Sequence, residues 1–378
     1  MRSTILRGGV AATAALAALA LGATACAPPA QKQSGNTAKA ASATSAHELG
    51  GMKALISAAK KEGQLNVIAL PPDWANYGEI IKTFHKKYGI TVSSAQPSAN
   101  SQDEVNAANQ LKGQSRAPDV FDLGQAVANA NTSLFAPYKV STWSDIPSAL
   151  KSADGKWTND YGGYMSIGYD ANKVPRPTSV QDLLKPAYKG KVALNGDPTE
   201  AGAGFSGVVM AALGTGGSAD DIAPGVTFFK KLKQEGNFLP VDPTPATVES
   251  GQTPVVIDWD YLNVGQGQSL KGKLTWKTVV PSNAVVGSYY VQAINKGAPH
   301  PAAARLWEEF LYSDQGQNLW LKGGARPVRT DAMAKAGTID KSAYSALPAV
   351  NGKPVFLNQA QTDKATKYLQ AHWAKAVG

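Results

Sequence analysis

From residue 49 onward the chain alternates between helical and strand-like hydrophobic periods. Met52, Leu55, Ile56 and Ala59 fall on one side of a helix predicted over 49–62, which Gly63 ends. Residues 64–70 make an apolar strand that stops at Pro71-Pro72. Tyr77, Ile80, Ile81, Phe84 and Tyr88 return to helical spacing. Residues 90–93 read as a strand, 102–112 as a helix, and 118–124 as a strand and turn. This βαβα rhythm predicts a parallel sheet with helices on both faces. Ligands of such sheets sit beyond the carboxyl ends of the strands. Trp74 and Asp122 lie at two of those ends and are candidate ligand contacts. A surface aromatic and a loop cap are the competing readings.

The rhythm breaks at 156–170, where Tyr161, Tyr164 and Tyr169 flank Gly162-Gly163 and a short apolar run. That segment reads as a strand leaving one body and entering another. Thr178-Ser179 with Asp182 has the form of a capping box for a helix over 180–184. After a strand at 192–194 comes a loop holding Thr199, Ala201 and Gly202, and a helix starting at 201–204 whose free N–H groups face a cleft. Residues 202–207 match G-x-G-x-x-G literally, but the seven residues after Leu194 are too many for the tight turn of a dinucleotide fingerprint. Amphipathic helices follow at 221–235 and 301–311, short ones at 244–250 and ending at 319–324, and a last one over 361–373. A strand is expected at 274–280, and 287–294, marked by Tyr289-Tyr290, is a second crossing.

The densest chemistry lies in 253–262, TPVVIDWDYL. A buried strand, Val255-Val256-Ile257, delivers Asp258, Trp259, Asp260 and Tyr261 in succession. If the strand continues, the two aspartates face one way and the two aromatics the other. If the chain turns, all four can ring one pocket. Carboxylates with aromatics hold an organic cation through charge-assisted hydrogen bonds and a cation–π face. In the competing reading Asp258 caps the next element, Trp259 is core and Asp260 is solvated.

The N-terminus reads as an address. Arg2 and Arg7 precede an Ala/Leu-rich stretch, and Ala23-Thr24-Ala25 stands before Cys26. This resembles a lipobox, in which Cys26 is diacylated, although Ala23 stands where leucine is usual. Residues 1–25 are then a signal peptide, and 26–46 a flexible tether rich in Ala, Ser, Thr and Gln. Cys26 is the only cysteine of the 378 residues, so no internal disulfide forms. The net charge of +9 is scattered, which argues against a nucleic-acid surface. Four separated histidines, His47, His85, His300 and His372, give no metal-ligand spacing.

Taken in order, RAPDVFDLG, YGGYMSIGYD, YKGKVALNGDPTEAGAG, TPVVIDWDYL, APHPAAARLWEEFLYSDQGQ and LKGGARPVR resemble the extracellular solute-binding proteins of ABC importers. The resemblance is to the branch with polyamine-, ferric-iron-, thiamine- and aminophosphonate-binding members. It implies a type II periplasmic-binding-protein-like fold of two α/β lobes joined by crossing strands, with the ligand between them. Lobe 1 would begin with 47–165, lobe 2 would be 166–287, and 288–378 would return to lobe 1 and carry the C-terminal helices. The resemblance further implies a monomer without catalysis or cofactor, which closes on a solute, docks on a membrane permease and is held at the membrane by the Cys26 lipid.

Iron-binding relatives carry a tyrosine pair where this chain has Asp258-Trp259-Asp260-Tyr261. Only Tyr261 is present there, while Tyr289 and Tyr290 pair at the second crossing. Acids with aromatics resemble polyamine sites, although Tyr290 stands near the place of an aspartate that polyamine binders carry. The expected contacts are Trp74, Asp122, Tyr164, Thr199, Gly202, Asp258, Trp259, Asp260, Tyr261, Tyr289 and Tyr290. The favoured ligand is a polyamine such as putrescine or spermidine; ferric iron, thiamine and 2-aminoethylphosphonate stay open. A secreted hydrolase is the alternative of another class, but the chain offers no nucleophile elbow, zinc motif or free catalytic cysteine for it.

Overall fold

The apolar runs of the sequence become strands that are buried along most of their length. The computed structural model describes residues 35–378; the leader and Cys26 lie outside the described residues. Its strands are β1 (Gln64–Ile68), β2 (Thr91–Ala95), β3 (Val120–Leu123), β4 (Phe135–Ala136), β5 (Thr158–Asp170), β6 (Val192–Leu194), β7 (Val255–Trp259), β8 (Trp276–Val279), β9 (Gly287–Asn295) and β10 (Arg326–Pro327). The described residues form one compact unit.

Strand β5 organises that unit. Its first half pairs antiparallel with β9 from Thr158 to Tyr164, and Gly162 and Tyr161 also pair with β10. Its second half pairs antiparallel with β7 from Met165 to Tyr169 and with β8 from Ile167 to Asp170. The same strand therefore belongs to two sheets. One holds β3, β4, β9 and β10, with the parallel β1–β2 pair beside β3. There the Asp119 backbone N–H donates to the Asn66 carbonyl at 2.9 Å. The other holds β6, β7 and β8. These are the two lobes, and β5 is the crossing expected at 156–170.

The expected parallel sheet needs correction. Only β1–β2 and β6–β7 run parallel; every pairing of β5 and of β9 is antiparallel. The crossing strands cause this, since they run back through sheets that the βαβ units began. Helix Tyr77–Tyr88 buries Tyr77, Ile80, Phe84 and Tyr88, the stripe read from the sequence. The 180–184 segment is capped through Ser179 and Asp182 as expected, but forms a 3-10 turn of helix. Helix Gln359–Val377 packs on helix Ala223–Gln234, with Trp373 and Phe229 rings 5.3 Å apart. The chain's last helix also meets helix Gln125–Ala130 of the first lobe.

The expected tether is also shorter than read. Residues Gly35–Ser42 form a helix, and Ala40, Ala43 and Ala46 are buried. Arg305 explains the docking. It sits in helix Pro301–Leu311, buried on all sides, and donates to the carbonyls of Ala43 (2.8 Å), Ala41 (2.8 Å) and Pro301 (3.0 Å). An alanine-rich segment lacks apolar bulk, so its docking by carbonyl hydrogen bonds is not visible as periodicity. Replacing Arg305 with Met removes three donors from buried acceptors. The expected loss is about 3 kcal/mol, read by urea unfolding, with earlier proteolytic cleavage before residue 47. Unchanged unfolding and cleavage would show that Arg305 does not hold the segment.

Candidate functional site

Three loops and two crossing strands converge between the lobes. The loop after β1 carries Trp74, and its backbone is strained: Ala69, Ala75 and Asn76 have φ of 56°, 44° and 70°. Such left-handed non-glycine residues cost about 1–3 kcal/mol each and mark positions fixed for a purpose. The Asn76 side chain anchors the loop by donating to the Leu319 carbonyl at 2.8 Å. The Trp74 indole N–H then donates to the Tyr161 hydroxyl at 2.7 Å.

Asp122 ends β3 and is held by one turn of a neighbouring helix. Asn100 caps helix Ser101–Gln110 with a reciprocal box. From that first turn Ser101 Oγ accepts the Gly124 N–H and Glu104 Oε2 accepts the Asp122 N–H, both at 2.9 Å. The Asp122 side chain accepts from the hydroxyls of Tyr77 (2.8 Å) and Tyr161 (3.1 Å) through Oδ2. Its Oδ1 is buried without a partner. Burial pushes this carboxyl up to about 7, against the two phenol hydrogen bonds that lower it.

The 258–261 stretch resolves into a turn. Strand β7 ends at Trp259, and helix Asp260–Ser269 starts at once. The two aspartates therefore part. Asp258 Oδ1 accepts the Trp259 N–H at 2.7 Å, and burial pushes its carboxyl up to about 7 against a hydrogen bond from Asn195. Asp260 is fully buried and already holds a cation, forming an ion pair with Arg326. Its other oxygen accepts the Tyr164 N–H at 3.0 Å. A Cβ on Gly163 would stand 2.4 Å from that oxygen, so only glycine lets the crossing strand pass there.

Around these acids the aromatics form one cluster. Tyr161 and Tyr290 stack with centroids 5.5 Å apart, and Tyr161 meets Tyr261 edge-on at 5.8 Å. Trp74 packs edge-on against Tyr290 (5.7 Å) and Tyr261 (6.2 Å), while Trp259 stacks on Tyr261 at 6.2 Å. The Tyr261 hydroxyl is buried without a partner. Burial, then the charges of Asp122 and Asp258 among others, push the Tyr261 and Tyr290 phenols up. Gly202 opens helix Gly202–Gly214 against this cluster, where a Cβ would lie 3.4 Å from the Tyr290 hydroxyl. Trp259 and Tyr261 are 1% exposed, and a Cβ on Gly124 of the first lobe would lie 3.6 Å from the Gly202 Cα of the second, so the two lobes touch at the site.

The structure thus brings together Trp74, Asp122, Gly202, Asp258, Trp259, Tyr261 and Tyr290. It turns Tyr164 and Tyr289 elsewhere. Tyr289 follows the opposite face of β9 from Tyr290, as strand alternation requires. It stacks on Phe356 at 6.1 Å, and the Tyr164 ring lies 4.8 Å from the Arg326 guanidinium. Thr199 directs its hydroxyl and N–H to Asp197, at 2.6 and 2.7 Å, within the turn. Tyr77, Tyr161, Glu104 and Trp320, whose ring stacks on Tyr161 with centroids 4.2 Å apart, were not singled out by the sequence as site residues. Tyr77 and Tyr161 had the signals of a helix stripe and a crossing strand. Glu104 had none, because its partner is a backbone N–H. Among the described residues no group of three or more His, Cys, Asp or Glu is placed to hold a metal, and no helix is long and apolar enough to cross a membrane.

Two α/β lobes joined by a crossing strand define the class of type II periplasmic-binding-protein-like folds. The family model described as bacterial extracellular solute-binding protein matches residues 118–350, and the chain belongs to that family. Its members bind solutes outside the cytoplasm and are not enzymes. Solved structures agree in fold. Iron-bound HitA from Pseudomonas aeruginosa is 20% identical, with a TM-score of 0.62 over 83% of this chain and 99% of that one. AgtB from A. tumefaciens R10, in complex with agropinic acid, is 14% identical, with a TM-score of 0.65 over 83% and 98%. An ABC transporter substrate-binding protein from Bradyrhizobium japonicum USDA 110 is 16% identical, with a TM-score of 0.64 over 83% and 99%. No curated protein sequence matches.

The buried Asp260–Arg326 pair yields a direct expectation. Arg326→Ala leaves Asp260 buried without its cation and should cost about 3–5 kcal/mol in urea unfolding. Adding Asp260→Asn removes the stranded charge and should recover part of that loss. A neutral Arg326→Ala would contradict the pairing.

Proposed function

We propose that the protein captures a small organic cation, a polyamine such as putrescine or spermidine, between its lobes and delivers it to an ABC permease. The observation that carries this reading is the pair Asp122 and Asp258. They come from opposite lobes, both are buried, and among the described residues neither forms an ion pair with a basic side chain. Ammonium groups supply the countercharge that both carboxylates lack and the donor that Asp122 Oδ1 lacks, and hydrogen bonds to charged groups are worth about 1.5–3 kcal/mol each. Trp74, Tyr261 and Tyr290 supply faces for the methylene chain and the cation. Asp260 is not part of this clamp, since Arg326 fills it.

One observation favours a second reading. The rings of Tyr161, Tyr261 and Tyr290 converge, and three phenolates beside Asp122 suit a hard trivalent cation. HitA was solved with iron. Against this, burial raises all three phenols, which opposes phenolate formation. An aminophosphonate would add the helix start at Gly202 for its anionic end, and thiamine would use the same acids and aromatics.

A thermal-shift series with putrescine, spermidine, thiamine, 2-aminoethylphosphonate and ferric citrate tests these readings. A ligand at 100 times its dissociation constant adds about 2.7 kcal/mol of stability. The expected shift is with polyamines, and the Asp122→Asn, Asp258→Asn double variant should lose it while still folding. A shift with ferric citrate alone, lost in Tyr261→Phe, would overturn the amine reading in favour of iron. We also infer that Cys26 carries the lipid anchor. Cys26→Ser should then release the protein to the medium, and continued membrane retention would refute the anchor.

A further inference from the structure

Behind Asp122 the first lobe buries more acid than one ligand contact requires. Glu104, Asp160 and Glu308 lie with Asp122 in one interior cluster, all at most 7% exposed. Each reaches it from a different element: Asp122 from β3, Glu104 from helix Ser101–Gln110, Asp160 from β5 and Glu308 from helix Pro301–Leu311. Hydrogen bonding there is one-sided. The donors of Tyr77 and Tyr161 are spent on Asp122 Oδ2, while the two N–H groups of Gln292 serve the Tyr77 hydroxyl at 3.0 Å and the Asp160 carboxyl. The backbone donors are spent on Glu104 Oε2 and Asp160 Oδ1, at 2.9 and 2.7 Å. Glu104 Oε1, Asp122 Oδ1, Glu308 Oε1 and the Gln292 carbonyl Oε1 remain buried acceptors with no donor.

A buried acceptor without a donor costs about 1–3 kcal/mol, more when charged. A carboxyl that keeps its proton becomes a donor itself, and neighbouring acids can then hydrogen-bond one another. We propose that this cluster stores protons in the ligand-free protein and that a cationic solute enters by exchange, its ammonium N–H replacing a carboxyl O–H. In the exchange Asp122 loses one proton to solvent, its carboxylate accepts the ammonium, and the cluster's charge falls by one as the solute brings one in. Glu104, Asp160 and Glu308 are positioning residues, acting through Asp122. This deepens the amine reading and rests on it for the identity of the solute.

The surroundings of Asp122 favour proton retention. Its neighbours are the carboxyls of Glu104, Asp160, Glu308 and, from the second lobe, Asp258, with the phenols of Tyr77, Tyr161, Tyr261, Tyr290 and Tyr312. The cation acting on this set from helix Pro301–Leu311 is Arg305, which bears on Glu308. Burial, then the charge of Asp122, raises both Glu104 and Asp160, and burial pushes Glu308 up to about 8. The sign follows. Carboxyls raised by folding hold protons that the unfolded chain has lost, so they weaken the ligand-free fold as pH climbs from the ordinary carboxyl range to neutrality. Solute binding moves the other way and tightens over the same climb, up to about tenfold per pH unit for each proton released.

Two measurements on the full chain test this. In infrared difference spectra the ligand-free protein at neutral pH should show the C=O stretch of a protonated, buried carboxyl, reduced in Asp160→Asn and in Glu308→Gln. Spermidine titration calorimetry in phosphate and in Tris should show heats that differ by about one proton's buffer ionisation. In Asp160→Asn that difference should shrink while spermidine still binds. Absence of the carboxyl band, or spermidine binding with buffer-independent heat, overturns the proposal. If no polyamine binds, the amine reading falls on its own. The band then decides the proton store: present, it stands; absent, it falls.

Discussion

Everything in this molecule hangs on one strand belonging to two sheets. Strand β5 has 13 residues, long enough at about 3.3 Å per residue to run through both lobes. Its first half fixes β9 and β10, and its second half fixes β7 and β8. The site lies where the pairing changes hands, between Tyr164 and Met165. This sets a steric demand. At Gly168 a Cβ would fall 2.0 Å from Asn263 Oδ1, so the helix after β7 can lie against the strand only where there is no side chain. The glycines that make YGGYMSIGYD look irregular as a strand are what allow it to be shared.

The second organising constraint is electrostatic. Of the carboxylates at the lobe interface, Asp260 receives a resident cation, and Asp122 and Asp258 do not. Coulomb attraction inside a protein repays ion burial only with good geometry and full hydrogen bonding. Asp260 meets that condition, with Arg326 on one oxygen and the Tyr164 N–H on the other. Asp122 and Asp258 have phenol, amide or backbone donors, which lower the carboxyl pKa less than burial raises it. The chain has thus separated a structural acid from two acids left open, within a stretch of three residues in the case of Asp258 and Asp260.

Those two roles could not be told apart in the sequence. Asp258-Trp259-Asp260-Tyr261 announces a site, and the turn that makes it one was among the readings the spacing allowed. The partner that decides the role of Asp260 is Arg326, which is 66 positions away. Helix stripes and strand runs were legible because they are periodic and local. The antiparallel course of the crossings was not, because pairing partners such as Tyr164 and Gly287 are distant in sequence. Tyr289 and Tyr290 looked like a pair in the sequence, yet consecutive strand residues face opposite ways, and only Tyr290 joins the cluster. Tyr161 was read as a marker of the crossing; its hydroxyl joins Trp74 to Asp122, a link between one loop and two strands that no local pattern encodes.

Closure of the lobes links these constraints to capture. Closing buries Asp122 and Asp258 together, and each unpaired acid in a dry interior opposes that step unless it keeps a proton or gains a cation. The aromatic faces of Trp74, Tyr261 and Tyr290 favour closing, since they leave water against one another. On the amine reading the solute's ammonium groups remove the opposing term. A ligand shifts a two-state equilibrium only by its differential affinity for the two states. On that reading, carboxylates placed on opposite lobes supply the difference, because one solute can meet both only when the lobes are shut.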